Sequence, residues 1–79
     1  MVTKEDRIRE IDQKLVWCME VIEDGAVLNR IQKIQNDIQY YSNKQLGELL
    51  DVLEGFSADK PDTFQKVLEV ADNIEKERK

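Results

Sequence analysis

No recognisable catalytic motif occurs in this 79-residue sequence. It contains no histidine, which is the commonest general base and the commonest zinc ligand. Its three glycines stand too far apart to form a phosphate-binding loop, and Ser42 and Ser57 have no recognisable base beside them. The sequence therefore predicts a protein that is not an enzyme and that uses no cofactor, no metal and no small-molecule substrate.

One cysteine and two pairs of carboxylates are the remaining candidates for chemistry. Cys18 falls on the apolar stripe of a predicted helix, where a cysteine usually acts as a small hydrophobic residue rather than as a redox group. Glu48–Asp51 and Glu69–Asp72 have the spacing E-x-x-D, which places both acids of a pair on one helix face. By helical phase those faces point to water, so we interpret them as solvated surface rather than as a divalent-cation site.

The elements that position these residues are predicted to be helices. Apolar residues recur at steps of three and four, and nowhere alternate long enough to form a strand. The pattern predicts a single all-α domain over residues 1–79, a small bundle of three or four helices with antiparallel hairpins. The expected helices cover about 4–24, 27–41, 44–54 and 62–76, and the second and third are either separate or one bent helix.

Local signals mark the expected helix ends. Thr3 can cap the first helix, and Ser42 with Gln45 forms a capping-box sequence before the third. Gly25 is the expected end of the first helix. The apolar stripes before and after Gly25 lie roughly 150° apart on a straight helix, so a turn is needed there to direct both at one core.

Charge and hydropathy limit the classes of partner. The net charge is -5, and residues 45–75 carry eight acidic and only two basic side chains. Proteins that bind nucleic acid present a basic surface instead, so direct nucleic-acid binding is not expected. The longest apolar run, residues 15–19, is far shorter than the roughly 20 residues that span a bilayer. With a single cysteine, which fits a reducing compartment, these features predict a cytoplasmic protein without a membrane span.

The segment LVWCMEVI, residues 15–22, is apolar on more than one side. At 100° per residue, Trp17 lies about 180° from Ile8, Val21 about 220° and Val16 about 80°, away from the core stripe. Two interpretations remain open. In the first, other helices cover both faces of the first helix. In the second, Trp17 and Val21, with Val16 beside them, form an exposed patch that contacts another molecule.

Acidic residues crowd the expected end of this helix. Glu20, Glu23 and Asp24 lie where the helix dipole disfavours negative charge. An apolar patch with an acidic rim suits a partner with an apolar anchor and basic surroundings. In the alternative interpretation, Arg30 or Lys33 folds back and neutralises the acids.

These patterns favour a small acidic protein-binding module that acts as a regulator, adaptor or inhibitor. Its predicted binding residues are Val16, Trp17, Glu20, Val21, Glu23 and Asp24, and the partner is a protein, either a foreign one or a second copy in a homodimer. The chain is similar in type, though not in residues, to bacterial and phage-encoded regulators that bind a host protein. The alternative is a nucleic-acid mimic whose acids occupy the basic groove of a DNA-binding protein: Glu48, Asp51, Glu54, Asp62, Glu69 and Asp72.

Overall fold

Four α-helices make up most of the chain that the structure describes, which confirms the all-α prediction. The computed structural model describes residues 3–57 and 59–78, without the side chains at 61 and 78. The helices are α1 (Lys4–Val21), α2 (Gly25–Asp37), α3 (Asn43–Glu54) and α4 (Phe64–Arg78). Short 3-10 helices extend α2 at Ile38–Tyr40 and lead into α4 at Pro61–Thr63.

The predicted cap at Thr3 and the predicted capping box at Ser42 are both present, and Thr3 also forms a capping box. The Thr3 hydroxyl accepts a hydrogen bond from the Asp6 backbone N–H at 3.2 Å, and the Asp6 carboxylate accepts one from the Thr3 backbone N–H at 3.3 Å. Ser42 and Gln45 make the same exchange at the start of α3, at 3.2 and 2.9 Å. Tyr41 and Ser42 are extended, with ψ angles of 149° and 162°, so α2 and α3 are separate rather than one bent helix.

The predicted boundary between α1 and α2 was wrong by several residues. Helix α1 ends at Val21, because Ile22 turns to an extended ψ of 127°, and Gly25 is the first residue of α2 rather than the end of α1. Asp24 determines this boundary: its carboxylate accepts hydrogen bonds from the backbone N–H groups of Ala26 at 2.9 Å and Val27 at 3.5 Å. An acid at a helix N-terminus is favourable, whereas at the end of α1 it would not be.

The helices form two hairpins that pack side by side. In the first, α1 and α2 are antiparallel, with Asp12 hydrogen-bonded to Gln35; in the second, Gln45 of α3 reaches Glu77 near the far end of α4. Helix α3 packs against both α1 and α4. Arg7 near the start of α1 donates to the carbonyl of Asn43 at the start of α3, so these two helices run in the same direction.

The hairpins enclose one apolar core. Its members come from all four helices and the turns after α1 and α2, and they include nearly every residue of the predicted stripes: Ile11, Leu15, Cys18, Ile22, Ile31, Ile34, Ile38, Tyr41, Leu46, Leu49, Leu50, Leu53, Phe64, Val67, Leu68, Ala71 and Ile74. The molecule is 18 Å across its thinnest dimension, about two helix diameters. In such a two-layer arrangement, each helix keeps an outer face towards solvent.

Candidate functional site

The outer face of α1 carries most of the large apolar side chains that the fold leaves exposed. Trp17 is 47% exposed, Val16 46% and Val21 38%. Trp17 and Val21 are one turn apart on the same side of α1 and so lie next to each other. We call Trp17, Val21 and the adjacent Glu20 the Trp17 surface.

Aromatic contacts hold the half-exposed indole of Trp17 in place. Its ring meets the ring of Phe56 edge-on, with centroids 5.8 Å apart and planes at 73°. Phe56 in turn meets the buried ring of Phe64, at 5.3 Å and 83°. The three rings lead from the core, through the loop after α3, to the outside of α1. One side of the indole is therefore fixed against the protein while another faces water.

Neither interpretation of LVWCMEVI is complete by itself. The chain covers one side of Trp17, as the first interpretation required, but leaves about half of the side chain open, as the second required. The part that covers it, Phe56, was not recognised from the sequence, which predicted only a loop there. The available signal was a large aromatic residue directly after the expected helix end at Gly55, in an otherwise polar segment.

Val16 is exposed but lies on a different side of α1. It is 100° around the helix from Trp17, on the flank that faces α2. One turn before it on that flank, Asp12 accepts a hydrogen bond from Gln35 of α2 at 3.2 Å. The structure thus brings Trp17 and Val21 together and sets Val16 apart, at the opposite edge of the exposed face.

The three acids predicted as a rim have different roles. Asp24 caps α2 through its side chain, so its charge stabilises the start of one helix rather than crowding the end of another. Glu20 and Glu23 are exposed, and neither forms an ion pair within the described part of the chain. Of the two predicted neutralising residues, Arg30 pairs with Asp72 of α4 instead. The rim of the Trp17 surface is therefore acidic and exposed to solvent.

Lys33 is the second residue that was expected to fold back towards Glu20, Glu23 and Asp24. It lies instead on the side of α2 that faces α4. With Arg30 it lines a small cavity between α2 and α4, and Asp37, Asp72 and Glu75 line the same cavity. The basic side chains of α2 thus face the acids of α4. This placement leaves the negative charge at the end of α1 without a cation from α2.

Cys18 belongs to the core, as its position on the apolar stripe predicted. It is 1% exposed, and burial raises the pKa of its thiol to about 11, although Lys14 nearby lowers it slightly. A thiol with this pKa is protonated at neutral pH and is a poor nucleophile. It packs as a small hydrophobic side chain.

The carboxylates that might have formed a cation site are dispersed. Glu48 and Asp51 line a groove between α3 and α4, whereas Glu69 is exposed and Asp72 pairs with Arg30. Among the residues that the structure describes, no group of three side chains is arranged to hold a metal ion. The six acids of the predicted nucleic-acid mimic likewise do not share one face, because Asp72 turns towards α2.

Similarity to known proteins gives no further guide to the site. Comparisons with protein-family models, with curated proteins and with solved structures each gave no match.

None of the helices in residues 3–57 and 59–78 has the length and apolar character needed to cross a bilayer.

Proposed function

We propose that the protein is a non-enzymatic protein-binding module that recognises its partner through the Trp17 surface. The observation that carries the proposal is an indole that is half exposed yet held in one orientation by Phe56. Tryptophan is enriched at the energetic centres of interfaces, where a large rigid ring gains contact area with little loss of conformational entropy. A fixed ring is already oriented for binding.

The charges around Trp17 indicate the chemistry of the partner. Glu20 lies one turn from Trp17 and Glu23 follows shortly after, and both are exposed. Opposite charges across an interface speed association and disfavour wrong partners. We therefore propose a partner protein that presents an apolar side chain flanked by lysine or arginine. Binding of this kind suits a regulator, adaptor or inhibitor, and the buried single thiol of Cys18 suits action in the reducing cytoplasm.

A second copy of the chain is the competing occupant of the Trp17 surface. Two copies meeting there would bring Glu20 and Glu23 of each near those of the other, and each copy carries a net charge of -5. Like charges at an interface oppose association. This favours a foreign basic partner over a homodimer.

The first test compares three proteins: the wild type, Trp17→Ala and Val16→Ala. Val16 is exposed to the same extent as Trp17 but lies towards α2, so its variant is a matched control. We expect light scattering to show a monomer for all three. We also expect that a partner protein that binds to the wild type and to V16A does not bind to W17A. Circular dichroism should show the same helix content for all three proteins.

Two outcomes would contradict this proposal. A wild-type dimer that W17A converts to a monomer would show that the Trp17 surface serves self-association. Equal capture by W17A and V16A would show that Trp17 is not the centre of the binding surface. Fluorescence of Trp17 gives an independent measure, since binding should dry the indole and shift its emission to shorter wavelength.

A further inference from the structure

A groove between α3 and α4 forms a second candidate surface, separate from Trp17. Two adjoining cavities of about 380 and 470 Å³ make up the groove, and both are lined by Asp51 and Val52. The groove extends along α3 from Glu48 to Gly55, which at 1.5 Å per residue is roughly 10 Å, or two helical turns.

The floor and the rim of the groove differ in chemistry. Half-buried Val52 and Val70 and buried Ile74 form an apolar floor at the edge of the core. Carboxylates stand above it, all of them exposed: Glu48, Asp51, Asp62 and Glu77. Glu77 accepts a hydrogen bond from Gln45, which leaves its charge in place.

Lys66 is the one basic side chain that lines the described groove. The rim therefore has an excess of negative charge above an apolar floor. A complementary ligand has an apolar stripe with basic residues on both sides of it. This is the pattern of a basic amphipathic helix, and helices of this type bind by laying their apolar face into a groove.

We propose that the α3–α4 groove binds a basic amphipathic helix of a partner protein, about two turns of it in contact. Two antiparallel helices already form the groove, and a third helix can insert its ridge of side chains between them. A second copy of this chain is a poor occupant because its charge has the same sign as the rim.

The groove is independent of the Trp17 surface. Arg7 of α1 lies within 3.0 Å of the position that a Cβ on Gly47 would take, which marks the flank of α3 that faces α1. Val52 lies about 140° around the α3 axis from Gly47. The groove therefore lies on a different side of α3 from the flank that faces α1, the helix that carries the Trp17 surface. Each surface can be tested without the other.

The probe for the test is a fluorescein-labelled peptide of leucine and lysine, designed as a three-turn amphipathic helix. Its affinity is measured by fluorescence anisotropy at about 0.15 M salt, where the Debye length of about 8 Å suppresses the effect of distant charges. The control peptide keeps the leucines and replaces every lysine with glutamate. We expect the lysine peptide to bind and the glutamate peptide not to bind.

Matched double variants locate the bound peptide. Glu48→Gln with Asp51→Asn removes two charges from the groove, and both side chains are exposed, so the core is untouched. Glu10→Gln with Glu69→Gln removes two exposed charges that do not line the groove. We expect the first pair to weaken binding roughly tenfold and the second less than about twofold.

Lys66→Gln tests the proposal in the opposite direction. Removing the one cation of the groove should tighten binding of the lysine peptide about twofold to threefold. This gain cannot come from damage to the fold. Trp17→Ala should leave the affinity of the peptide unchanged, which separates this proposal from the function proposed for the Trp17 surface.

Several results would overturn the proposal. Failure of the wild-type protein to bind the lysine peptide would exclude the groove as its site. Equal weakening of binding by both double variants would indicate attraction by net charge alone. Loss of binding with W17A would place the peptide on α1 instead. Binding of the glutamate peptide would remove the argument from charge.

Discussion

Side chains at the contact between α2 and α4 are paired with each other, whereas those on the outer face of α1 are left exposed and without an ion pair within the described residues. Arg30 of α2 pairs with Asp72 of α4, and the hydroxyl of buried Tyr41, in the turn after α2, donates to Glu75 of α4 at 3.0 Å. On α1, an indole is left half in water, and Glu20 beside it has no ion pair within the described residues.

The two regions differ in whether their polar side chains find partners within the same chain. The hydroxyl of buried Tyr41 has a partner from the same chain, as burial of a polar group demands, and the half-exposed charges of Arg30 and Asp72 are also paired. The Trp17 surface is not under that demand, because it faces solvent. Its exposed apolar area and its unpaired acid have no partner within the described residues, and this is the basis of the proposal that this face binds another protein.

The largest expected effect is a difference in stability loss between substitution of a buried aromatic residue and substitution of the half-exposed one. Tyr41→Ala removes a fully buried ring and should cost about 3–5 kcal/mol in the free energy of unfolding. Trp17→Ala should cost only about 1–2 kcal/mol, since half of the ring is already in water and the main loss is its contact with Phe56. Urea unfolding followed by circular dichroism measures both. Equal costs would mean that Trp17 is a structural residue and would weaken its assignment to binding.

The next effect concerns the cap between the two regions. Asp24→Ala removes the side chain that accepts hydrogen bonds at the start of α2 and should cost about 1 kcal/mol. Asp24→Asn keeps the acceptor and should recover most of this loss. If the acids at the end of α1 instead destabilised the protein, as their sequence position suggested, both variants would raise the urea midpoint.

The core was predictable because periodicity records which side of a helix is buried. The stripes of α1 and α3, the cap at Thr3 and the capping box at Ser42 are local patterns, and each was confirmed. Asp24 was misjudged because the same acid is unfavourable at a helix end and favourable at a helix start, and the boundary between the two was placed three residues too late.

The surroundings of Trp17 were only partly predictable, for a different reason. Helical phase correctly placed Trp17 away from the core, but phase says nothing about which distant segment lies beside it. Phe56 reaches the indole because α3 runs alongside α1 in the same direction, which brings the loop after α3 to the end of α1. That is a property of how the hairpins pack, and no local pattern encodes it.

The smallest expected effects have opposite signs in the two regions. Asp72→Asn breaks the pair with Arg30 and should lower the free energy of unfolding by a few tenths of a kcal/mol, because both side chains are about half exposed. Glu20→Gln removes an unpaired acid near the end of α1 and should raise it by a similar amount. About 1 M salt should weaken both effects, since the Debye length falls to about 3 Å. If Glu20→Gln destabilised the protein, Glu20 would have a partner within the fold, and its place on a free binding rim would be lost.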